Sequence, residues 1–224
     1  MSQHFSSKAA VLGFSLLSSA VLLSGCIPIL MGGTAVTTAT VMTDRRTTGT
    51  IVSDEVIEKR ISYDISQAFG KKSYHINVTS YEGRALLSGE VTSMADRNAA
   101  EQIAASAMDV RGVINELAVM DPSSVSTRMS DSFIASKVRT AIIGNGKISL
   151  NQMKVAVERG IVYLMGVVTR EEAQSAAQTA AKVSGVQKVV TCFSIVSRAE
   201  VEARMKDLKT HQQLQKEQAE EGGN

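Results

Sequence analysis

The chain has 224 residues, a formal net charge of +2, two cysteines and no tryptophan. Two cysteines exclude a fold braced by several disulfides. Near-balanced charge and the lack of Trp leave no obvious stacking platform for nucleic acid.

Residues 1–25 read as a secretory signal. Met1 to Lys8 is polar with one positive charge, and Ala9 to Leu23 is apolar apart from small residues and serines, a run too short to span a bilayer comfortably. Leu23-Ser24-Gly25-Cys26 follows directly. Small residues let the chain lie extended in a peptidase site, and the Cys26 thiol can take a thioether-linked lipid. The segment resembles the lipobox of bacterial lipoproteins. That resemblance implies cleavage before Cys26, with covalent acyl and diacylglycerol groups there as the only non-protein component. Ile27 and Pro28 stand where an inner-membrane retention signal would place Asp, so the resemblance implies an outer-membrane anchor with the body facing the periplasm. Acylation would leave Cys192 unpaired; a Cys26 to Cys192 disulfide is the competing reading. Residues 26–52 are expected to form the acylated cysteine and an extended tether, because Gly32 to Thr50 is rich in Thr, Gly and Ala, with Asp44-Arg45-Arg46 in its middle.

The body repeats at an offset of 77 residues. Asp54 matches Asp131, Ile57 matches Ile134, Gly83 matches Gly160, Leu87 matches Leu164, Gly89 matches Gly166 and Thr92 matches Thr169. After a one-residue slip, Val113 matches Val189 and Leu117 matches Phe193. Two copies of one small domain follow, over 53–121 and 131–197, joined by a linker at 122–130.

Each copy shows the same order of periodicities. Ile57, Ile61 and Ile65, like Ile134, Val138 and Ile142, recur every four residues and predict a helix with one apolar stripe. Asp54 and Asp131 are expected near the helix starts as caps. Strand-like runs at Ile76 to Tyr81 and Ala85 to Val91 correspond to Met153 to Val157 and Ile161 to Val168, with Gly83 and Gly160 in hairpin turns that need positive φ. An alanine-rich helix follows (Ala95 to Ala107; Glu171 to Val183), then a last strand (Val113 to Val119; Val186 to Val196). The expected class is α+β, two tandem αββαβ domains, each with two helices on a small three-stranded mixed sheet.

The order, with Gly-x-(x)-apolar-x-Gly-x-Val-Thr across each hairpin, resembles the BON domain. The arrangement as a whole resembles the dual BON-domain outer-membrane lipoproteins of Gram-negative bacteria. Asp109 stands where the second copy has Gly185, which could alter the turn before the last strand, and the charged tail at 198–224 has no counterpart. Val201, Met205 and Leu208 make that tail a candidate short helix fraying into solvent, or a seam for a partner.

Residues Ser53 to Asp121 carry seven Lys and Arg against eleven Asp and Glu, a net of −4, whereas Pro122 to Arg198 carry ten against four, a net of +6. The second copy is therefore the one expected to meet anionic headgroups. With Ile134, Val138, Ala141 and Ile142 inward, Phe133, Lys137 and Thr140 lie on one flank of its first helix. Ser136 and Ile143 then point outward, and Arg139 lies on the other flank. These six residues are the candidate phospholipid-binding face; the alternative is that Phe133 packs on the neighbouring domain.

No metal site is expected, since the mature chain has two scattered histidines, His75 and His211, and Cys192 has no local base. Cys192 aligns with Glu116 and either faces solvent or is half-buried in a strand. The resemblance implies a non-enzymatic envelope protein that binds anionic phospholipid and maintains outer-membrane integrity at the division site, and the charge asymmetry places that binding on the second domain. Neither nucleic acid nor a small-molecule substrate is expected. The alternative is an adaptor for the outer-membrane β-barrel assembly machinery.

Overall fold

The computed structural model describes residues 44–221, with side chains to 218. The signal segment and Cys26 lie outside the described residues. Every described residue belongs to one compact unit.

The first domain comprises α1 (Thr48–Phe69), β1 (Tyr74–Tyr81), β2 (Arg84–Val91), α2 (Met94–Ser106), β3 (Gly112–Asn115) and β4 (Ala118–Val119). The second repeats it with α3 (Val125–Asn145), β5 (Met153–Glu158), β6 (Ile161–Val168), α4 (Arg170–Ala181), β7 (Lys188–Thr191) and β8 (Ser194–Ile195). A helix α5 (Arg198–Glu221) follows. In each sheet an antiparallel hairpin, β1 with β2 or β5 with β6, is extended by the last strand running parallel to its second arm. The fold is α+β, with the αββαβ order present twice.

The last strand, expected as one piece, is broken in both copies. Glu116 N–H still donates to Leu87 O, and Cys192 N–H to Leu164 O. Pairing with the hairpin then resumes at β4 and β8.

Apolar stripes build each core as the four-residue spacing requires. Ile57, Ile61, Ile65 and Phe69 of α1 pack with Leu87, Val91, Ala100 and Ala104, and Ile134, Val138 and Ile142 of α3 pack with Val162, Leu164, Ala176 and Ala180. The opposite faces of the two sheets meet in a third cluster of Tyr81, Leu86, Ala156, Tyr163, Met165, Val167 and Cys192. The domains are thus docked sheet to sheet, and Cys192 lies in the seam, 6 % exposed, not at a solvent-facing edge.

Two expectations about helix starts are corrected. Thr47 caps α1 and Ser124 caps α3, so α1 begins inside the expected tether and α3 inside the expected linker. Asp54 and Asp131 sit well within their helices and hold the hairpin turns. Gly83 N–H donates to Asp54 Oδ1 at 2.9 Å and Glu82 N–H to Oδ2 at 2.9 Å. In the second copy Gly160 and Arg159 N–H donate to Asp131, both at 2.8 Å. Glu82 and Gly83, like Arg159 and Gly160, have positive φ, the type I′ geometry that matches strand twist. These carboxylates satisfy turn amides that would otherwise be buried without partners. Asp109 and Gly185 both adopt positive φ, so the Asp departure leaves its turn intact.

The expected tether is also folded where it meets the body. Asp44, Arg45 and Arg46 are all buried. The tail is a 24-residue helix, not a short one, and is fastened to the first domain where Arg204 Nη1 meets Glu82 Oε1 at 2.6 Å.

Candidate lipid-facing helix

Helix α3 turns Ile134, Val138 and Ile142 into the core, which forces the residues between them outward. Phe133 is 69 % exposed and Ile143 64 % exposed. Phe133 therefore does not pack on the neighbouring domain. Val125 and Met129 are exposed on the same helix. At four-residue spacing Val125, Met129 and Phe133 form one ridge, and Ile143 continues it beyond Thr140. The sequence reading missed Val125 and Met129 because they fall in the stretch taken for a linker; continuing the Phe133 periodicity backwards would have found them.

Ser136 Oγ donates to Ser132 O and Thr140 Oγ1 to Ser136 O, both at 3.0 Å. Their hydroxyl protons are thus taken by the helix backbone, and the outward stripe is less polar than its composition suggests. Lys137 Nζ reaches the Ser184 carbonyl and stays exposed. Among the six candidates the structure groups Phe133, Ser136, Lys137, Thr140 and Ile143 on the outer side. Arg139 stands apart: its Nη2 donates to Val155 O at 2.8 Å. It lines a groove of about 490 Å³ with His75, Asn77, Arg128 and Glu158, which Ser136 also borders. There it caps a carbonyl of edge strand β5, a protection that unpaired edges need.

The charge asymmetry between domains has a second use. Lys154 Nζ meets Glu58 Oε1 at 2.6 Å, and Arg159 Nε meets Glu90 Oε1 at 2.7 Å. Glu90 is only 1 % exposed, so without Arg159 it would be a buried, poorly compensated charge. Together with Arg46 on Asp54 and Arg204 on Glu82, four cations from outside the first domain's span neutralise four of its acids. Much of its formal −4 is thus neutralised by the docked domain, the preceding segment and the tail helix, and is not presented to a bilayer.

One contact reverses the polarity. His75 Nε2 lies 3.2 Å from Glu158 Oε2 across the domain boundary. The hydrogen bond to Glu158 raises the imidazole above its ordinary 6.5, with burial opposing and the charges of Glu158 and Glu90 assisting. A raised folded-state value means this contribution is complete below about pH 6.5 and is lost as pH rises through the folded value. We expect the melting-temperature advantage of the parent over His75→Gln to shrink as pH rises from about 5.5 to about 8.5. An advantage that grows over that range would be inconsistent with the pair.

Among the described residues no helix is long and apolar enough to cross a membrane, and no cluster of His, Cys, Asp and Glu could hold a metal ion.

The family comparison agrees with this two-domain order. The BON domain model matches residues 53–121 and 130–197. The chain is 36 % identical over 179 residues to the outer membrane lipoprotein DolP of Haemophilus influenzae, covering 80 % of this chain and 92 % of that protein. It is 34 % identical over 154 residues to a protein named 21 kDa hemolysin from Actinobacillus pleuropneumoniae, covering 68 % and 79 %. Among solved structures, CdsD, a structural protein of the type III secretion system of Chlamydia trachomatis, aligns at 11 % identity with a TM-score of 0.28, covering 65 % of this chain and 95 % of that one. With two matched domains in the order and spacing the structure shows, and a relative alike along most of its length, the chain belongs to the BON-domain family as a tandem member related to outer membrane lipoprotein DolP.

Proposed function

We propose that this is a non-enzymatic outer-membrane lipoprotein, acylated at Cys26, whose helix α3 binds anionic phospholipid and which helps maintain the membrane at the division site. The observation that carries the reading is the unpartnered ridge of Val125, Met129, Phe133 and Ile143 beside the exposed cations Lys137 and Lys147. Such a face buries apolar atoms at the acyl boundary while its ammonium groups meet phosphates. The relative named as an outer membrane lipoprotein supports the location.

The test is sedimentation of the non-acylated chain, residues 27–224, with vesicles of rising phosphatidylglycerol content. This span keeps Asp44–Arg46 and α5, which are part of the folded body. Phe133→Ser should weaken binding about tenfold, from the lost apolar burial. Lys137→Ala should weaken it about fivefold, near 1 kcal/mol per cation at the surface. Neither should move the melting temperature much, since both side chains are exposed and Lys137 gives up only a surface bond to Ser184 O. Salt should weaken the parent more than Lys137→Ala. Unchanged binding by both variants would rule out α3 as the contact.

A protein-adaptor role, as for the β-barrel assembly machinery, draws support from a separate feature: Val52, Val56 and Tyr63 are exposed along α1 of the first domain. Cysteine crosslinking from position 56 that traps one envelope protein would favour it.

A further inference from the structure

Arg45 and Arg46 are neighbours in sequence whose side chains reach different domains. Arg46 is rooted in the first: its Nη1 donates to Asp54 Oδ2 at 3.0 Å and its Nη2 to Asp44 Oδ2 at 2.9 Å. Its guanidinium lies 4.0 Å over the Tyr81 ring. Arg45 reaches into the second domain, where its two terminal nitrogens grip both oxygens of Glu172 at 2.8 and 2.7 Å, and Nη1 also donates to Val167 O at 2.9 Å. A planar fork matched to a carboxylate, with a backbone carbonyl added, fixes direction as well as distance. Burial pushes the Glu172 carboxyl up, but the bonds from Arg45 and Thr169 N–H outweigh it and hold it below the ordinary range.

We propose that Asp44–Arg46 is a clasp that transmits the position of the lipid anchor directly to the second domain, with Arg45 as the positioning residue. The proposal rests on the reading that α3 is the lipid contact and Cys26 the acylated residue. Seventeen residues lie between Cys26 and Asp44, a reach of at most about 65 Å. Without Arg45, the anchored chain would first engage the body on the first domain alone, through Arg46 and the start of α1. The second domain would then follow through the sheet-to-sheet seam, the ion pairs across it and the connecting chain. With Arg45 in place, the same short segment holds the end of β6 and the start of α4, on the domain that carries α3. Among six apolar and charged residues with modest individual contributions, orientation relative to the bilayer decides how often the ridge is inserted.

The chain has no tryptophan, so Phe133→Trp supplies a single reporter. The acylated protein would be reconstituted in phosphatidylethanolamine and phosphatidylglycerol vesicles with brominated acyl chains, at an anionic fraction where the non-acylated chain is less than half bound. Arg45→Ala should reduce quenching of the reporter at least twofold. The non-acylated Arg45→Ala chain should bind the same vesicles within twofold of its parent, because α3 is untouched. Glu172→Gln should act in the same direction while keeping a side chain that can close the capping box with Thr169. Arg45→Lys, which keeps charge but not the fork, should recover part of the signal.

Unchanged quenching in both Arg45→Ala and Glu172→Gln would overturn the clasp while leaving α3 as the contact. Equal loss in the acylated and non-acylated forms would also overturn it, assigning Arg45 to folding alone. A parent whose reporter is not quenched would overturn the clasp together with the reading it rests on.

Discussion

Asp54→Ala should destabilise the chain by about 3 to 5 kcal/mol in urea unfolding, the range for removing one partner of a buried charge pair. Asp54 is fully buried and receives Ser80 Oγ at 2.7 Å in addition to the two turn amides and Arg46. Its removal leaves the Arg46 guanidinium with Asp44 as its remaining carboxylate and two turn N–H groups without acceptors. Asp131→Ala should cost less, about 1 to 3 kcal/mol, because Asp131 holds its turn amides and, among the described residues, pairs with no arginine. Acid dependence should separate the two roles. Burial alone pushes the Asp54 carboxyl up, but the bonds from Gly83, Ser80, Glu82 and Arg46 outweigh it and hold it below 3.8. A depressed folded value gives stability that is present above about pH 3.8 and lost as pH falls through that lower value. The stability of Asp54→Asn should therefore fall less steeply than the parent's across that acid range. Equal slopes would show that Asp54 is not a charged hub.

The second large effect is expected at Gly89, which lies opposite Ile76 in the β1 and β2 ladder. Its φ is +110°, and a Cβ there would stand 2.2 Å from the His75 carbonyl oxygen. Both partners are main chain, so no rotamer change relieves the overlap and the hairpin itself must open. Gly89→Ala should lower stability by at least about 3 kcal/mol, in the range of strained-backbone and overpacking substitutions. The repeat places Gly166 equivalently, 2.3 Å from Gln152 O for the same added atom. Proteolysis should then distinguish the variants by which domain is cut first. Gly89→Ala should also displace His75 and weaken its pairing with Glu158, flattening the pH dependence described above. A fully stable Gly89→Ala would mean that β1 can retreat from β2 without loss.

Duplication was legible because a repeat is read by comparing the chain with itself. Matching Gly83 to Gly160 and Leu87 to Leu164 needed no partner outside the sequence. Helix starts were misread for a specific reason. Ile57 opens the buried stripe of α1, but the helix begins more than two turns earlier, and the residues over those turns, Val52 and Val56, face outward. A search for buried periodicity passes over them. Asp44-Arg45-Arg46 was illegible in a stronger sense. Charged residues in a Thr- and Gly-rich stretch read as solvated, and the partners that make their burial tolerable lie elsewhere in the chain, Asp54 for Arg46 and Glu172, 127 positions away, for Arg45. The outward angle of Phe133, Ser136, Lys137, Thr140 and Ile143 followed from helical geometry alone. Arg139 lay on the flank that geometry assigned to it, but its bond to Val155 O depends on where β5 packs, which no helical wheel contains.

Cys192 gives the seam between the two sheets a property of its own. Burial pushes its thiol above the ordinary value, with the charge of Glu116 assisting, so in the closed molecule it is both covered and protonated. Alkylation proceeds through the thiolate and therefore has to wait for the sheets to part. Under native conditions the rate of modification counts those separations. The protein thus carries an internal clock for the opening of its own two halves.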